Sequence, residues 1–204
     1  MLVRHGASQA AVPGEPFPLL EGHGDPALAP EGEVQAIHVA ERLAVEPLGG
    51  LFITPLRRTR QTAEPLAAAL GADPVVVREL REVYLGEWDG GEFRVRMAEH
   101  DPIAIQAVVE ERWDVIPGAE TMESLALRVR AGIEAVAAAA GPDVTVAAFV
   151  HGGVIGEACR QATESRPFAF VHADNGSLTR LVILPGGRWL LRSFNDTAHL
   201  ATAA

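Results

Sequence analysis

The stretch Val144-Thr145-Val146-Ala147-Ala148-Phe149-Val150-His151-Gly152-Gly153 decides the fold. Apart from Thr145, the first seven residues are apolar, with no polar–apolar alternation. Such a run is a strand buried on both faces, as in the interior of a parallel sheet covered by helices on each side. It ends in a histidine and two glycines, and Gly153 to Thr163 then reads as helix. Upstream, Met122 to Ala140 is a long alanine-rich helix stopped by Gly141-Pro142.

Working outward, the same unit recurs. Leu2-Val3 is a stub of buried strand, followed by a loop through Pro13, Pro16, Pro18, Pro26 and Pro30 that is too proline-rich for helix. Glu31 to Leu43 carries apolar residues at Val34, Ile37, Val39, Ala40 and Leu43, a helical period with Pro30 just ahead of it. Gly49-Gly50 breaks that helix, and Leu51-Phe52-Ile53 is a second short buried strand. Arg57 to Leu70 is a helix stopped by Gly71, and Pro74 to Val77 is a third strand candidate. Arg81 to Gly91 is loop-like, and Phe93 to Arg112 is an ambiguous, partly helical stretch. Leu178 to Ile183 and Trp189 to Phe194, flanking Pro185-Gly186-Gly187, form a terminal hairpin. Strands alternating with helices predict one domain over 1–204, with a variable insertion around 91–121. The fold class is α/β: a three-layer α/β/α sandwich whose mostly parallel sheet takes one antiparallel C-terminal strand.

Composition limits what such a domain does. Of 204 residues, 48% are apolar and 22% charged, an ordinary globular balance that argues against disorder. The net charge of −10 argues against a nucleic-acid surface or an anionic membrane as partner, since both require a basic face. All 17 basic residues are arginine. Cys159, the single cysteine, leaves no intrachain disulfide framework and no four-cysteine zinc site. No apolar run approaches the roughly 20 residues of a membrane span. Leu2-Val3 runs straight into Arg4-His5 with no basic-then-apolar leader, so the expected location is cytoplasmic.

In a doubly wound sheet the active crevice lies beyond the carboxyl ends of the strands. Arg4-His5-Gly6 follows the first strand, Thr54-Pro55-Leu56-Arg57-Arg58-Thr59 follows another, and His151-Gly152-Gly153 follows the clearest one. A lone histidine at a strand end fits a hydrogen-bonded structural residue; two histidines and an arginine pair together point to chemistry. Arginines would repel a metal cation, whereas guanidinium forks match phosphoryl oxygens bidentately. A histidine among arginines keeps a low pKa and stays an unprotonated nucleophile, able to form a covalent phosphohistidine. The acid that protonates the leaving oxygen is then sought, and Glu82 in Leu80-Arg81-Glu82-Val83-Tyr84-Leu85-Gly86-Glu87-Trp88-Asp89-Gly90 is the candidate.

These segments, in this order, resemble the histidine phosphatase superfamily with its phosphoglycerate-mutase-like fold. Arg4-His5-Gly6 matches the opening signature, and Thr54 to Thr59 matches the segment that opens a helix. Leu80, Glu82, Gly86, Trp88 and Gly90 match the family's acidic loop, and His151-Gly152-Gly153 its closing motif. The resemblance spans almost the whole chain. It implies His5 as the phosphorylated nucleophile, Glu82 as acid/base, and Arg4, Arg58 and His151 as the cradle of the phosphoryl oxygens. Gly152, Gly22 and His23 join the expected substrate-binding residues, His23 lying in the loop that passes the site in relatives. Arg57, Glu87 and Asp89 are expected to point outward. His172 is a candidate supporting group. In the insertion, Phe93, Met97 and Trp113 are candidates for an apolar wall and Arg94 and Arg96 for a second anion grip, against core packing and a solvated face respectively.

Mutases of the family carry a polar run after the signature, where this chain has Ala7 and Ala11. Their absence favours a phosphatase over a phosphoglycerate-mutase-type phosphotransferase. A non-catalytic phospho-ligand binder is the alternative of another class, and both nucleophile and acid being present argues against it. The expected partner is a small phosphorylated substrate, with neither metal nor other cofactor, in a monomer or homodimer.

Overall fold

The computed structural model describes residues 1–201. In chain order the elements are β1 (Leu2–Arg4), β2 (Leu19–Leu20), β3 (His23–Gly24), α1 (Pro30–Leu43), β4 (Leu48–Ile53), α2 (Arg57–Leu70), β5 (Val75–Val76), α3 (Glu92–Ala98), α4 (Pro102–Glu110), α5 (Met122–Ala140), β6 (Thr145–Val150), α6 (Gly152–Thr163), β7 (Leu178–Ile183) and β8 (Trp189–Asp196). Six strands form one sheet in the order β5-β4-β6-β1-β7-β8. The first four are mutually parallel, β7 runs antiparallel to β1, and β8 turns back along β7.

The unalternating apolar strands split their side chains between two cores, because successive residues point to opposite faces. Val3, Leu51, Ile53, Ala147 and Phe149 pack with Val39, Leu43, Ala63 and Leu66 of α1 and α2. Leu2, Phe52, Ala148 and Val150 pack with Leu125, Val129, Ile133, Val154, Ile155 and Cys159 of α5 and α6. Phe149, Leu43, Leu51, Ile53 and Leu66 are fully buried. Burial of each such side chain contributes about 1.5–3 kcal/mol against exposure. The three-layer α/β/α architecture follows directly.

Register positions the chemistry. Arg4 pairs with Val150 across β1 and β6, so His5 and His151, one residue further along each strand, leave the sheet side by side. Ile53 pairs with Phe149, which brings Thr54 alongside.

Four features differ from the sequence reading. Strand β4 begins at Leu48, with a register shift between Leu48 and Leu51, so Gly49-Gly50 lies inside it rather than before it. Bare Gly49 lets Val144 approach: a Cβ there would sit 2.3 Å from a Val144 methyl. The strand expected over Pro74–Val77 shrinks to an exposed two-residue edge. The proline-rich loop contains the two-stranded ribbon β2–β3, whose turn residues Glu21 (φ 51°) and Gly22 (φ 83°) are left-handed. The 91–121 segment holds two helices. The second is capped by Asp101, whose side chain accepts the backbone N–H groups of Ile103 and Ala104. Ala104, Ala107 and Ile116 cluster on Trp88, with Phe93 and Trp113 packed against them. Among the described residues, no helix is long and apolar enough to cross a membrane.

Candidate active site

His5 leaves β1 into a bracket of backbone contacts. Its own N–H donates to the Val150 carbonyl at 3.0 Å, and its carbonyl accepts the Asn175 side-chain amide at 2.8 Å. The next residue must be small: a Cβ on Gly6 would lie 2.4 Å from the Gly32 carbonyl oxygen in the first turn of α1. The Gly6 N–H donates to Thr62 Oγ1 at 3.0 Å, which fastens the loop to α2.

Two contacts define the His5 ring. Nδ1 lies 2.7 Å from the Gly6 carbonyl, which accepts only if Nδ1 carries the proton. Arg58 Nε–H donates to His5 Nε2 at 3.2 Å, which requires a lone pair on Nε2. Both contacts select the same tautomer: neutral, with the unprotonated Nε2 beside a guanidinium. Burial, followed by the charges of Arg58 and Arg4, holds this imidazole well below its ordinary pKa of 6.5.

His151 ends β6 and precedes α6, fully buried. Thr54 Oγ1 lies 2.9 Å from its Nε2, while Nδ1 has no partner within the protein. Its ring stands edge-on to His5 with centroids 5.2 Å apart. Burial, with Arg58 and His5 adding, keeps it neutral well below pH 6.5. Arg58 is anchored by the Gly24 carbonyl at 2.9 Å, and burial lowers its pKa to about 10, leaving it cationic at neutral pH. Arg4 donates from Nη1 to the Ala173 carbonyl, and its buried Nε has no protein partner. Gly152 lies beside that guanidinium, and a Cβ there would make ordinary contact with it, 3.4 Å from Nε.

Glu82 meets this cluster from the acidic loop. Its Oε1 accepts the Val83 N–H at 3.0 Å and the Gly153 N–H, in the first turn of α6, at 3.2 Å. The loop itself is clamped by Arg128 of α5, which donates to the backbone carbonyls of Glu79, Arg81 and Glu82 and pairs with Glu120. Glu120 in turn accepts the Tyr84 N–H at 2.8 Å. Sequence reading passed over this clamp.

The groups face a cavity of about 690 Å³, lined by Arg4, His5, His23, Arg58, Glu82, Gly152 and Gly153 among others. Thus the structure brings together the expected nucleophile, acid and arginines, with His151 packed directly behind. His23 also lines it: buried, with Nδ1 3.1 Å from the Glu21 carbonyl and Nε2 unpartnered. Gly22 does not line it; the left-handed turn residue packs on Tyr84 instead. Asp89, expected to point outward, accepts the N–H groups of Gly24 and Leu85 at 2.9 and 2.8 Å and so ties the β2–β3 ribbon to the acidic loop. Arg57 and Glu87 are exposed, as expected. His172 is exposed on the rim.

Arg94 matters more than its sequence context suggested. Although the residue is exposed as a whole, its guanidinium lines the cavity, held by Ser8 Oγ at 2.9 Å and the Gln9 carbonyl at 3.1 Å. Burial of that end and the charge of Arg4 lower its pKa. Arg96 turns away, pairing with Glu92 and Asp101 and lying over Trp88.

A neutral imidazole whose Nε2 lone pair faces a guanidinium, a second arginine, a second imidazole and a carboxylate suit attack on phosphorus with charge neutralised by protein groups. The fold and site therefore fit an enzyme of phosphoryl transfer. The chain belongs to the histidine phosphatase superfamily (branch 1), whose profile matches residues 1–197.

A Hydrogenobacter thermophilus protein provisionally named phosphoserine phosphatase 2 is 29% identical over 200 residues, covering 97% of this chain and 95% of its own. Phosphoglycerate mutase-like protein 4 of Arabidopsis thaliana is 30% identical over 207 residues, covering 98% and 86%. The native structure of a mycobacterial glucosyl-3-phosphoglycerate phosphatase superposes with a TM-score of 0.77 at 26% identity, covering 96% of this chain and 97% of that one. The protein is a phosphatase of this family acting on phosphomonoesters.

Proposed function

We propose that residues 1–204 act as a single histidine phosphatase domain that hydrolyses a small phosphorylated metabolite through phospho-His5. The observation that carries this is the pair of contacts on the His5 ring: Nδ1 to the Gly6 carbonyl and Arg58 Nε–H to Nε2. In the first step His5 Nε2 bonds to phosphorus as the ester P–O bond breaks, and Glu82 gives its proton to the departing alkoxide. Arg4 and Arg58 bear the charge on the phosphoryl oxygens, neutral His151 supports the His5 ring from behind, and Gly152, Arg94 and His23 complete the pocket. In the second step the Glu82 carboxylate takes a proton from water, whose oxygen attacks phosphorus and breaks the P–N bond. Inorganic phosphate leaves, with His5 neutral and Glu82 protonated again. No step calls for a metal ion or other cofactor.

The relatives named for phosphoserine and glucosyl-3-phosphoglycerate supply starting substrates, and the reading is tested by phosphate release over a panel of metabolite phosphates. Release that disappears in His5→Ala is expected. Transfer of the phosphoryl group between phosphoglycerates without net release would instead favour a mutase, and tight binding without turnover a phospho-ligand binder.

A further inference from the structure

Past the phosphoryl-binding end, the cavity becomes an aromatic chamber. Phe93 stands edge-on to Trp113 at 5.7 Å, and Trp113 lies against Phe168 at 4.6 Å with the rings tilted 38°. Phe17, Met97 and Val108 extend the same wall. Two of these side chains, Met97 and Val108, remain 37% and 47% exposed, so the apolar wall is open to a ligand entering the cleft. The rings come from three separate segments: α3, the loop after α4, and the 167–170 turn.

Charge sharpens the point. Two arginines border this wall. Arg94, 5.7 Å over the Phe17 ring, is held at the phosphoryl end by Ser8 and Gln9. Arg166, at the Phe168 end, is ion-paired with Glu111, which also accepts the Phe168 N–H. A carboxylate or second phosphate on the alcohol would therefore meet a neutralised cation there. A flat ring would meet aromatic faces and edges in geometries that favour ring–ring contact. The cavity volume of about 690 Å³ falls within the range of about 300–1,000 Å³ typical of sites for drug-sized ligands, more than an amino-acid phosphate occupies.

We propose that the substrate is a phosphomonoester whose alcohol carries an aromatic ring, seated against Phe93, Trp113 and Phe168 while its phosphate meets His5. This rests on the hydrolase reading above and adds the substrate class. Specificity arises from ring stacking at the Trp113–Phe168 end of the cavity, where the neighbouring cation Arg166 is already paired.

The test compares 2-phenylethyl phosphate, 2-cyclohexylethyl phosphate and phosphoserine, all esters of primary alcohols, in the wild type, Trp113→Leu and Val108→Glu. Wild type should favour the phenyl ester over phosphoserine by about tenfold in kcat/KM, with the cyclohexyl ester in between. Both variants should cut the phenyl-to-phosphoserine ratio by about tenfold. Val108→Glu guards against misfolding, because it places a charge on the chamber at an already exposed position. Equal or better turnover of phosphoserine would overturn the proposal and leave the hydrolase reading standing. So would equal use of the phenyl and cyclohexyl esters, or a ratio unmoved in both variants. Failure to hydrolyse any of the three, or p-nitrophenyl phosphate, would overturn the hydrolase reading itself.

Discussion

Replacing Gly153 with alanine is expected to disable Glu82 without touching it. A Cβ at Gly153 would lie 2.4 Å from a Val83 methyl and 2.8 Å from Glu82 Oε1. Val83 is only 3% exposed and packed in the core beneath α6, so it has no free space to swing into. Relief to ordinary contact, 3.4 Å or more, requires the 82–83 segment to retreat by about 1 Å. That retreat stretches the 3.2 Å hydrogen bond from the Gly153 N–H to the carboxylate beyond useful length. General acid catalysis contributes about 10²–10⁴-fold, and a misplacement of about 1 Å can cost about 10²-fold. The variant should therefore lose about 10- to 100-fold in kcat on an alkyl phosphate, whose leaving alkoxide needs a proton. On p-nitrophenyl phosphate, whose leaving group departs without one, the loss should stay within about threefold. Steady-state kinetics on both esters, with a thermal melt to confirm folding, make the comparison. Equal losses on the two esters in a folded variant would refute the positioning argument, and so would no loss at all.

Other outcomes follow from the same geometry. Arg94→Ala should raise KM for phosphate esters about tenfold, the scale of one charged hydrogen bond at about 1.5 kcal/mol; an unchanged KM would return Arg94 to the solvated face. Arg128→Ala, which frees the carbonyls of Glu79, Arg81 and Glu82, should widen the gap between aryl and alkyl esters as Gly153→Ala does, and equal losses on both would contradict the clamp. His5 and His151 are both held neutral well below the ordinary imidazole pKa of 6.5, so the acid limb of kcat/KM should lie below pH 6.5. In the unfolded chain the same two rings take up protons as pH falls past about 6.5, while the folded ones do not. Stability should therefore fall as pH drops from 7 toward 5, and less steeply in His5→Gln; urea midpoints across that range check this, and parallel profiles would contradict it. Activity should persist in excess EDTA, and a large loss would expose a metal requirement.

Much of this site was legible because it lies where chain direction leaves no choice. An apolar strand that ends in His151 and another that ends in His5 must deliver both rings to the same edge once the strands pair in parallel, and Arg4 opposite Val150 fixes them level. Glu82 was legible from the pattern around it. The residues that escaped act through the backbone. Asp89 reads as one more loop carboxylate until folding sets Gly24 and Leu85 against it, and Asn175 acts only on the His5 carbonyl. Arg94 lies on a short helix of weak periodicity, and only the packing of the insertion on Trp88 turns it toward Ser8. Gly22, by contrast, was assigned to the site from its neighbourhood, although its left-handed φ serves the ribbon turn.

The central claim is that the lone pair on His5 Nε2 is the nucleophile. Rapid quench during turnover, followed by mass spectrometry under alkaline conditions that preserve phosphohistidine, tests it most directly. The account predicts a phosphoryl group on His5, labile to acid, present in Glu82→Gln and absent in His5→Ala. Phosphate release that continues in His5→Ala, or a phosphoryl group found on any other residue, would contradict it.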